Sequence, residues 1–513
     1  MSIGNQSVLI LFVAALNLRA ADPNACTDML SYRLSGGAIT KAELVRTGSA
    51  PAYCRIAATL RPSSDSDIRM EIWLPAENWN GKLEANGNGG WTGSINPTAL
   101  TAGVKRGYAS AMSDLGHEGS RATFALGHPE KLVDFGYRAA HEMTVAAKAI
   151  TFAYYKRAPA ESYWTGCSAG GRSALMEAQR YPDDYDGIIA GAPGWNWTGR
   201  ALQSIQIAQA SHQNEAAYIP PPKYSMIHDA VLRACDTLDG LKDGVLEDPT
   251  RCNFDPKQLE CRGPDAPTCL TSAQVETAHV IYEPVRDRRT RALIFPGFER
   301  GSELGWSRLA GPQPFEIGLD LFKYVVFKNP DWNYRAFNFG TDLDLTAKAE
   351  RGILNASDPD LRPFFRRGGK LIQYHGWSDP QIAPGISVEY YKSILSASQN
   401  ASAVSESYRL FMVPGMAHCG GGDGVSTFDA LNALEAWVEH GKAPAQIPAT
   451  RVENGRVERS RPLCPILRLR GTRAPGIRTT LLISFVRLLR TSRVCDVSAG
   501  AAVPGIEAHQ RQC

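Results

Sequence analysis

Gly166-Cys167-Ser168-Ala169-Gly170 sets a serine among small residues, after the short strand pattern Ser162 to Thr165 and before the helix-forming run Gly171 to Ala178. A sharp turn between strand and helix lifts a serine hydroxyl into a cleft, where bulkier neighbours would clash. The start of the helix also aims backbone N–H groups at developing negative charge. A plain glycine-rich turn could carry the same string, but it would not need the strand and helix around it. A serine hydroxyl alone is a weak nucleophile and requires a histidine base oriented by an acid. On sheets of this type the chain order is serine, acid, histidine. The chain has ten histidines. His418 follows the expected strand Tyr408 to Val413, in Pro414-Gly415-Met416-Ala417-His418-Cys419-Gly420, and Asp379 follows the expected strand Lys370 to Tyr374, in His375-Gly376-Trp377-Ser378-Asp379-Pro380. Each sits in a turn at the carboxyl end of a strand, where such sites form. Ser168, Asp379 and His418 are therefore the candidate catalytic set. His375 is a rival base read as structural, Asp114 and His117 read as a pair that fixes a loop, and His440 reads as surface.

The elements that must position these residues are legible in outline. Asp67 to Leu74 alternates apolar and polar residues as a half-buried strand does, and Lys82 to Ala85 runs into the turn Gly87-Asn88-Gly89-Gly90. Tyr137 to Lys156 carries Met143, Ala146, Ala147, Ile150, Ala153 and Tyr154 at helical spacing, and Gly187 to Ala192 is a further strand. Alternating strand and helix predicts an α/β fold with a mostly parallel sheet covered by helices. Between about Asn196 and Arg366 the rhythm gives way to a Pro-, Cys- and aromatic-rich stretch that reads as an insertion. As a dinucleotide fingerprint Gly87-Asn88-Gly89 fails, because no helix pattern follows Gly93 where one is required.

Composition narrows the class. With 513 residues, 43% hydrophobic and 21% charged, the chain is neither disordered nor a small disulfide scaffold, and a net charge of +3 gives no electrostatic footprint for nucleic acid. Val8 to Leu16 has the length of a signal-peptide core, although Met1 to Ser7 lacks a basic residue; no segment is a transmembrane candidate. The spacings of Cys235 with Cys252 and of Cys261 with Cys269 look like loop staples, which suits an oxidising compartment. After Pro465 the sequence turns Arg-rich without lysine and without periodicity, reading as a frayed or non-native end more than as a basic arm. The expected organisation is a leader over 1–21, a catalytic core over 22–195 and 367–465, a lid over 196–366 and an atypical tail over 466–513.

Cys167 precedes the serine and Cys419 follows the histidine, so contact of Ser168 with His418 would force the two sulfurs together; two separate buried thiols are the alternative. Here the sequence resembles the tannase and feruloyl esterase family, which carries a Cys-Ser, Asp, His-Cys arrangement with that disulfide. The resemblance covers roughly Cys26 to Pro465 and rests on Gly166 to Arg172, His375 to Ile382, Pro414 to Gly420 and Asn86 to Gly93. It implies an α/β-hydrolase core with a large lid between the serine and aspartate strands. It also implies an oxyanion hole in which Gly89 or Gly90 joins Ala169, and bridges Cys26–Cys54, Cys235–Cys252 and Cys261–Cys269. A last family bridge would start at Cys464, with only Cys495 or Cys513 left to complete it. Asp236, Asp239 and Asp243 lie in one glycine-bent loop that, on its chemistry alone, suits calcium or a solvated acidic turn equally. The resemblance implies a structural Ca²⁺ there, held by these aspartates and the carbonyls of Leu241 and Val245. No catalytic metal is expected, since no H-E-x-x-H or histidine cluster occurs.

The implied activity is that of a secreted or periplasmic serine esterase acting on small aromatic esters, of hydroxycinnamic or gallic acids or of a terephthalate monoester. Trp306, Trp332, Tyr334 and Phe337 are lid aromatics that would either flatten against a phenolic ring or pack the lid interior. A peptidase or a non-catalytic binding protein on the same fold are the readings from other classes.

Overall fold

The computed structural model describes residues 23–466 apart from 47 and 49. The expected leader, the Arg-rich tail from 467 onward, Cys495 and Cys513 lie outside the described residues. A nine-stranded sheet runs through the molecule in the order β1-β2-β3-β5-β4-β6-β7-β10-β11. Its strands are β1 (Gly37–Val45), β2 (Tyr53–Leu60), β3 (Ile68–Pro75), β4 (Leu83–Asn86), β5 (Ala109–Ser113), β6 (Ser162–Cys167), β7 (Gly187–Gly191), β10 (Lys370–Gly376) and β11 (Tyr408–Val413). β1, β2, β3 and β5 pair antiparallel, whereas β5, β4, β6, β7, β10 and β11 pair parallel. This is the α/β-hydrolase type of architecture that the alternating pattern predicts.

Burial follows position in the sheet. Every residue of β4, β5 and β7 is buried, as strands covered on both faces must be. Successive residues feed opposite cores: Trp164, Ile188, Leu371 and Leu410 join one apolar cluster, and Tyr163, Ile189, Ile372 and Phe411 join another. Helices Ala139–Tyr155, Ala169–Arg180 and Gly385–Ser398 contribute to the first cluster, and Ala430–His440 to the second. The helix expected over Tyr137 to Lys156 begins instead at Ala139, after a wide turn at Asp134–Arg138, and ends where Lys156 takes a left-handed φ of 57°.

The insertion leaves the sheet after β7 and returns at β10. It is mainly helical, with Trp197–Ser211, Pro222–Cys235 and Ser272–Tyr282 and a small hairpin of β8 (Val285–Arg286) and β9 (Leu293–Phe295). It has no separate core. Trp306 and Phe322 belong to the same cluster as Trp164, and the Trp91 indole donates to the Ile317 carbonyl at 2.9 Å across 226 residues of sequence. A further antiparallel sheet of β12 (Thr427–Phe428), β13 (Ile447–Glu453) and β14 (Arg456–Leu463) closes the described chain. Four disulfides join pairs of described residues: Cys26–Cys54, Cys167–Cys419, Cys235–Cys252 and Cys261–Cys269.

Candidate active site

Ser168 stands between the last residue of β6 and the first of helix Ala169–Arg180, with φ of 63°, a conformation that L-residues avoid. The small residues around it are required by contact. A Cβ on Gly171 would run into the Gly191 carbonyl of β7, and one on Gly170 would lie 3.0 Å from the Asn88 carbonyl. The turn is thus wedged between two neighbouring strands, and the strain at Ser168 is held by the sheet.

Asp379 is fully buried in the turn after β10. Its Oδ1 accepts from the backbone N–H groups of Gln381 at 2.7 Å and Ile382 at 2.9 Å. Its Oδ2 lies 2.7 Å from His418 Nδ1 and 3.1 Å from His375 Nε2. Burial pushes this carboxyl up, but the charge of a protonated His418 and the hydrogen bonds from both histidines outweigh it and hold Asp379 well below the usual carboxylate range. His375, placed by the structure inside β10, is also fully buried; its Nδ1 meets Ser387 Oγ at 2.7 Å and its Nε2 the Ile382 carbonyl at 3.1 Å. It braces the acid from behind and has no access to the cleft. Gly376 lets the two catalytic turns meet, because any Cβ there would strike the Met416 carbonyl.

His418 and Ser168 line one small cavity, together with Ala169 and Gly90. The Cys167–Cys419 bridge, with Cα atoms 6.0 Å apart, fixes the turn of the nucleophile to the turn of the base. Gly90 has a positive φ of 53°, whereas Gly89 is outside the cavity lining and its carbonyl accepts from Thr92 N–H. Of the two glycines expected at the oxyanion position, Gly90 is therefore the one at the cavity wall.

The rest of that wall was not legible in the sequence. Trp306, Trp332, Tyr334 and Phe337 do not line it: Trp306 is buried edge-on to Tyr282, and Trp332 stacks on Phe327 at 4.9 Å, both inside the lid. Trp197, Phe315 and Ile317 line it instead, with Arg200. Helix Trp197–Ser211 is started by Asn196, whose side chain accepts from Gly199 N–H at 2.8 Å, and its first turns present Trp197, Arg200 and Ala201 to the cavity at i, i+3 and i+4 spacing. An arginine on that apolar stripe was the available signal. Asp114 and His117 do fix a loop: Asp114 Oδ1 accepts from Arg69 and Gly116 N–H, and His117 Nε2 lies 2.7 Å from the Trp91 carbonyl. His440 is exposed.

An ion triad, buried at His228 and Glu303 and half-buried at Asp423, ties the lid to the histidine turn. His228 Nδ1 lies 2.8 Å from Glu303 Oε2, and its Nε2 lies 3.3 Å from Asp423 Oδ2, five residues beyond His418. Burial alone would lower the His228 pKa, but hydrogen bonds to Asp423 and Glu303 raise it to about 10. A histidine whose folded pKa is raised above its unfolded value, near 6.5, contributes stability fully below that value and loses it as pH rises toward 10. The wild-type melting temperature is expected to decline from about pH 6.5 to 10 along a slope that His228→Gln lacks. In calorimetry at pH 6 the variant is expected to be less stable by about 3 kcal/mol, since the buried Glu303 keeps its hydrogen bonds from Tyr282 and Gly301 but loses its cationic partner.

The sequence model of the tannase and feruloyl esterase family matches residues 54–314 and 322–467. The chain belongs to this family. An uncharacterized esterase of Xanthomonas campestris pv. campestris is 36% identical, with 88% of this chain and 89% of that protein aligned. A protein named probable feruloyl esterase B-2, from Aspergillus terreus, is 32% identical over 88% of this chain and 91% of its own. The crystal structure of feruloyl esterase B from Aspergillus oryzae superposes with a TM-score of 0.82 at 29% identity, covering 86% of this chain and 95% of that one. Like these relatives, the chain is a carboxylic ester hydrolase. Among the described residues no helix is long and apolar enough to cross a membrane.

Proposed function

We propose that this tannase and feruloyl esterase family member is an exported serine esterase that releases aromatic acids from their esters. The observation that carries the reading is the convergence of Ser168, His418 and Gly90 with the aromatic walls Trp197 and Phe315 on one cavity, with Asp379 Oδ2 on His418 Nδ1 at 2.7 Å. His418 takes the Ser168 proton through Nε2 as the oxygen attacks the ester carbonyl, and Asp379 holds the resulting imidazolium. Backbone N–H groups of Ala169 and Gly90 face the oxyanion. His418 then passes the proton to the departing alcohol, and water, deprotonated in turn by His418, releases the acid. Export is supported by the four disulfides, which persist in oxidising compartments.

A panel of methyl ferulate, methyl gallate and mono(2-hydroxyethyl) terephthalate tests the substrate class, and turnover of none of them would reject it. A serine-directed phosphonate that leaves Ser168 unlabelled in folded protein would reject the catalytic assignment and favour a binding protein. A peptide amide panel separates the peptidase reading.

The lid loop over 236–245 is proposed to hold calcium through the carboxylates of Asp236, Asp239 and Asp243 and the carbonyls of Leu241 and Val245. The donor set fits a hard cation: three carboxylates and two carbonyls in one turn, closed by Cys235–Cys252. The turn already curls on Asp236, whose Oδ1 accepts from Gly244 N–H at 3.1 Å. Arg461 and Arg459 of β14 face Asp243 Oδ2 at 3.2 and 3.7 Å, so a cation in the loop would share Asp243 with two guanidinium groups and rely most on Asp236 and Asp239. The ion would brace the loop against β14 and take no part in the reaction. Chelation is expected to lower the melting temperature by several degrees, with recovery on adding Ca²⁺ but not equimolar Mg²⁺; an unchanged melt would remove the ion from the account.

A further inference from the structure

The far end of the nucleophile helix carries a second cluster of ligating side chains, which neither the ester chemistry nor the lid loop uses. His141 lies in the first turn of helix Ala139–Tyr155, Glu177 in the last turn of helix Ala169–Arg180, and Asp184 in the turn that leads into β7. One ring nitrogen of His141 and one carboxylate oxygen each from Glu177 and Asp184 lie within 4.8 Å of one another. His141 Nδ1 is 2.6 Å from Asp184 Oδ2, and the imidazole lies flat on the Tyr181 ring at 3.8 Å, which fixes its plane. Glu177 is fully buried, yet neither of its carboxylate oxygens has a hydrogen-bond partner among the described residues. The ammonium of Lys148 donates to the carbonyls of Asp183 and Asp184 and leaves Glu177 unbonded. A buried carboxylate without a donor is costly, and a second carboxylate against it adds repulsion. A cation held between them removes both costs.

We propose that His141, Glu177 and Asp184 form a structural zinc site. The donor set decides the ion: one imidazole with two carboxylates suits a first-row divalent cation, whereas Ca²⁺ and Mg²⁺ favour oxygen ligands alone. With three protein ligands, Zn²⁺ completes its tetrahedron with a water. Zinc bonds of about 2.0 Å place tetrahedral ligands about 3.3 Å apart, between the 2.6 Å of the His141–Asp184 contact and the 4.8 Å limit of the cluster. An ion of this size needs no open pocket. It sits between the ligand atoms, in place of the proton that two such carboxylates would otherwise share, and reaches them past the His141 side chain, which is 28% exposed. Glu177 lies about 13 Å along the helix axis from Ser168, too far to touch a substrate. The ion thus fastens the carboxyl end of the nucleophile helix to the preceding helix and to the entry of β7, whichever ester the enzyme accepts.

Metal titration of the intact chain tests this. The protein is stripped with dipicolinate, held in excess Ca²⁺ so that the lid loop does not compete, and titrated with ZnCl₂ in a calorimeter. One equivalent is expected to bind per chain and to raise the melting temperature by a few degrees, as a ligand confined to the folded state does. MgCl₂ at the same concentration is expected to do neither. His141→Gln and Glu177→Gln, each of which removes one ligand, are expected to weaken zinc binding by about 100-fold or more. No zinc uptake by the stripped wild type overturns the proposal and leaves Glu177 and Asp184 sharing a proton. An equivalent that both variants still bind overturns it too, since the ion then lies elsewhere, as on His418. A melting shift that Mg²⁺ reproduces in full would mark a general counterion effect and sink the zinc assignment. Should Glu177→Gln fail to fold, the wild type and His141→Gln, whose ring is part-exposed, decide.

Discussion

Ser168→Ala is expected to lower kcat on any accepted ester by about 10⁶-fold while leaving the fold intact, because the nucleophile and base act as one unit and losing either disables both. The side chain contributes little to packing, so the melting temperature should stay close to wild type. The backbone makes a sharper contrast possible. Ser168 is held at a φ of 63°, where a Cβ is strained and glycine is not. Ser168→Gly should therefore be as inactive as the alanine variant yet more stable, by about 1 kcal/mol. Activity assays with calorimetry on the two variants check both halves. Residual turnover of even one part in a hundred in Ser168→Ala would mean that the nucleophile lies elsewhere.

Asp379→Asn is expected to cost about 10⁴-fold in kcat, and more than a wrong tautomer is responsible. Two backbone N–H groups already point at Oδ1, so the amide of an asparagine must place its oxygen there and its NH₂ toward the histidines. That NH₂ would force His418 Nδ1 to accept, putting the proton on Nε2, where it cannot take the proton of serine. It would also confront His375 Nε2, whose N–H is committed to the Ile382 carbonyl at 3.1 Å. A buried donor would then face a donor, so stability should fall together with activity. Paired measurement of kcat and melting temperature tests this. A loss of activity alone would show that His375 can change its tautomer, its Nδ1 then donating to Ser387.

The proposed catalytic set could be read because Ser168, Asp379 and His418 each sit in a turn at the carboxyl end of an expected strand. Chain order together with that position singled out Asp379 and His418. The strands that were legible, β3, β4, β6, β7, β10 and β11, carry apolar residues in runs or, as in β3, in alternation, and all but the edge strand β11 lie inside the sheet. β1 and β2 escaped notice because the outer strands expose one face: β1 carries Lys41 and Glu43 where a buried strand would be apolar. β14 carries three arginines, of which Arg459 and Arg461 are spoken for by Asp243 in the lid. The cavity wall was out of reach for a different reason. Phe315 caps, and Ile317 belongs to, the five-residue helix Glu316–Asp320, whose place is set by the Trp91 to Ile317 hydrogen bond, a pairing that no local pattern announces. Trp306 and Trp332 take the second of the two roles open to the lid aromatics and pack the interior of the insertion, as large apolar rings suit.

The bridge between Cys167 and Cys419 spans 252 residues of sequence, and those residues include the whole insertion and the acid turn. Nucleophile and base are therefore adjacent points on a closed covalent ring. Among the exposed turns of the insertion, a protease would find places to cut. In a linear chain such a cut would release two fragments, each with half of the catalytic machinery. Here the fragments stay joined at the site of chemistry, so a nicked molecule remains one molecule whose serine and histidine can still meet.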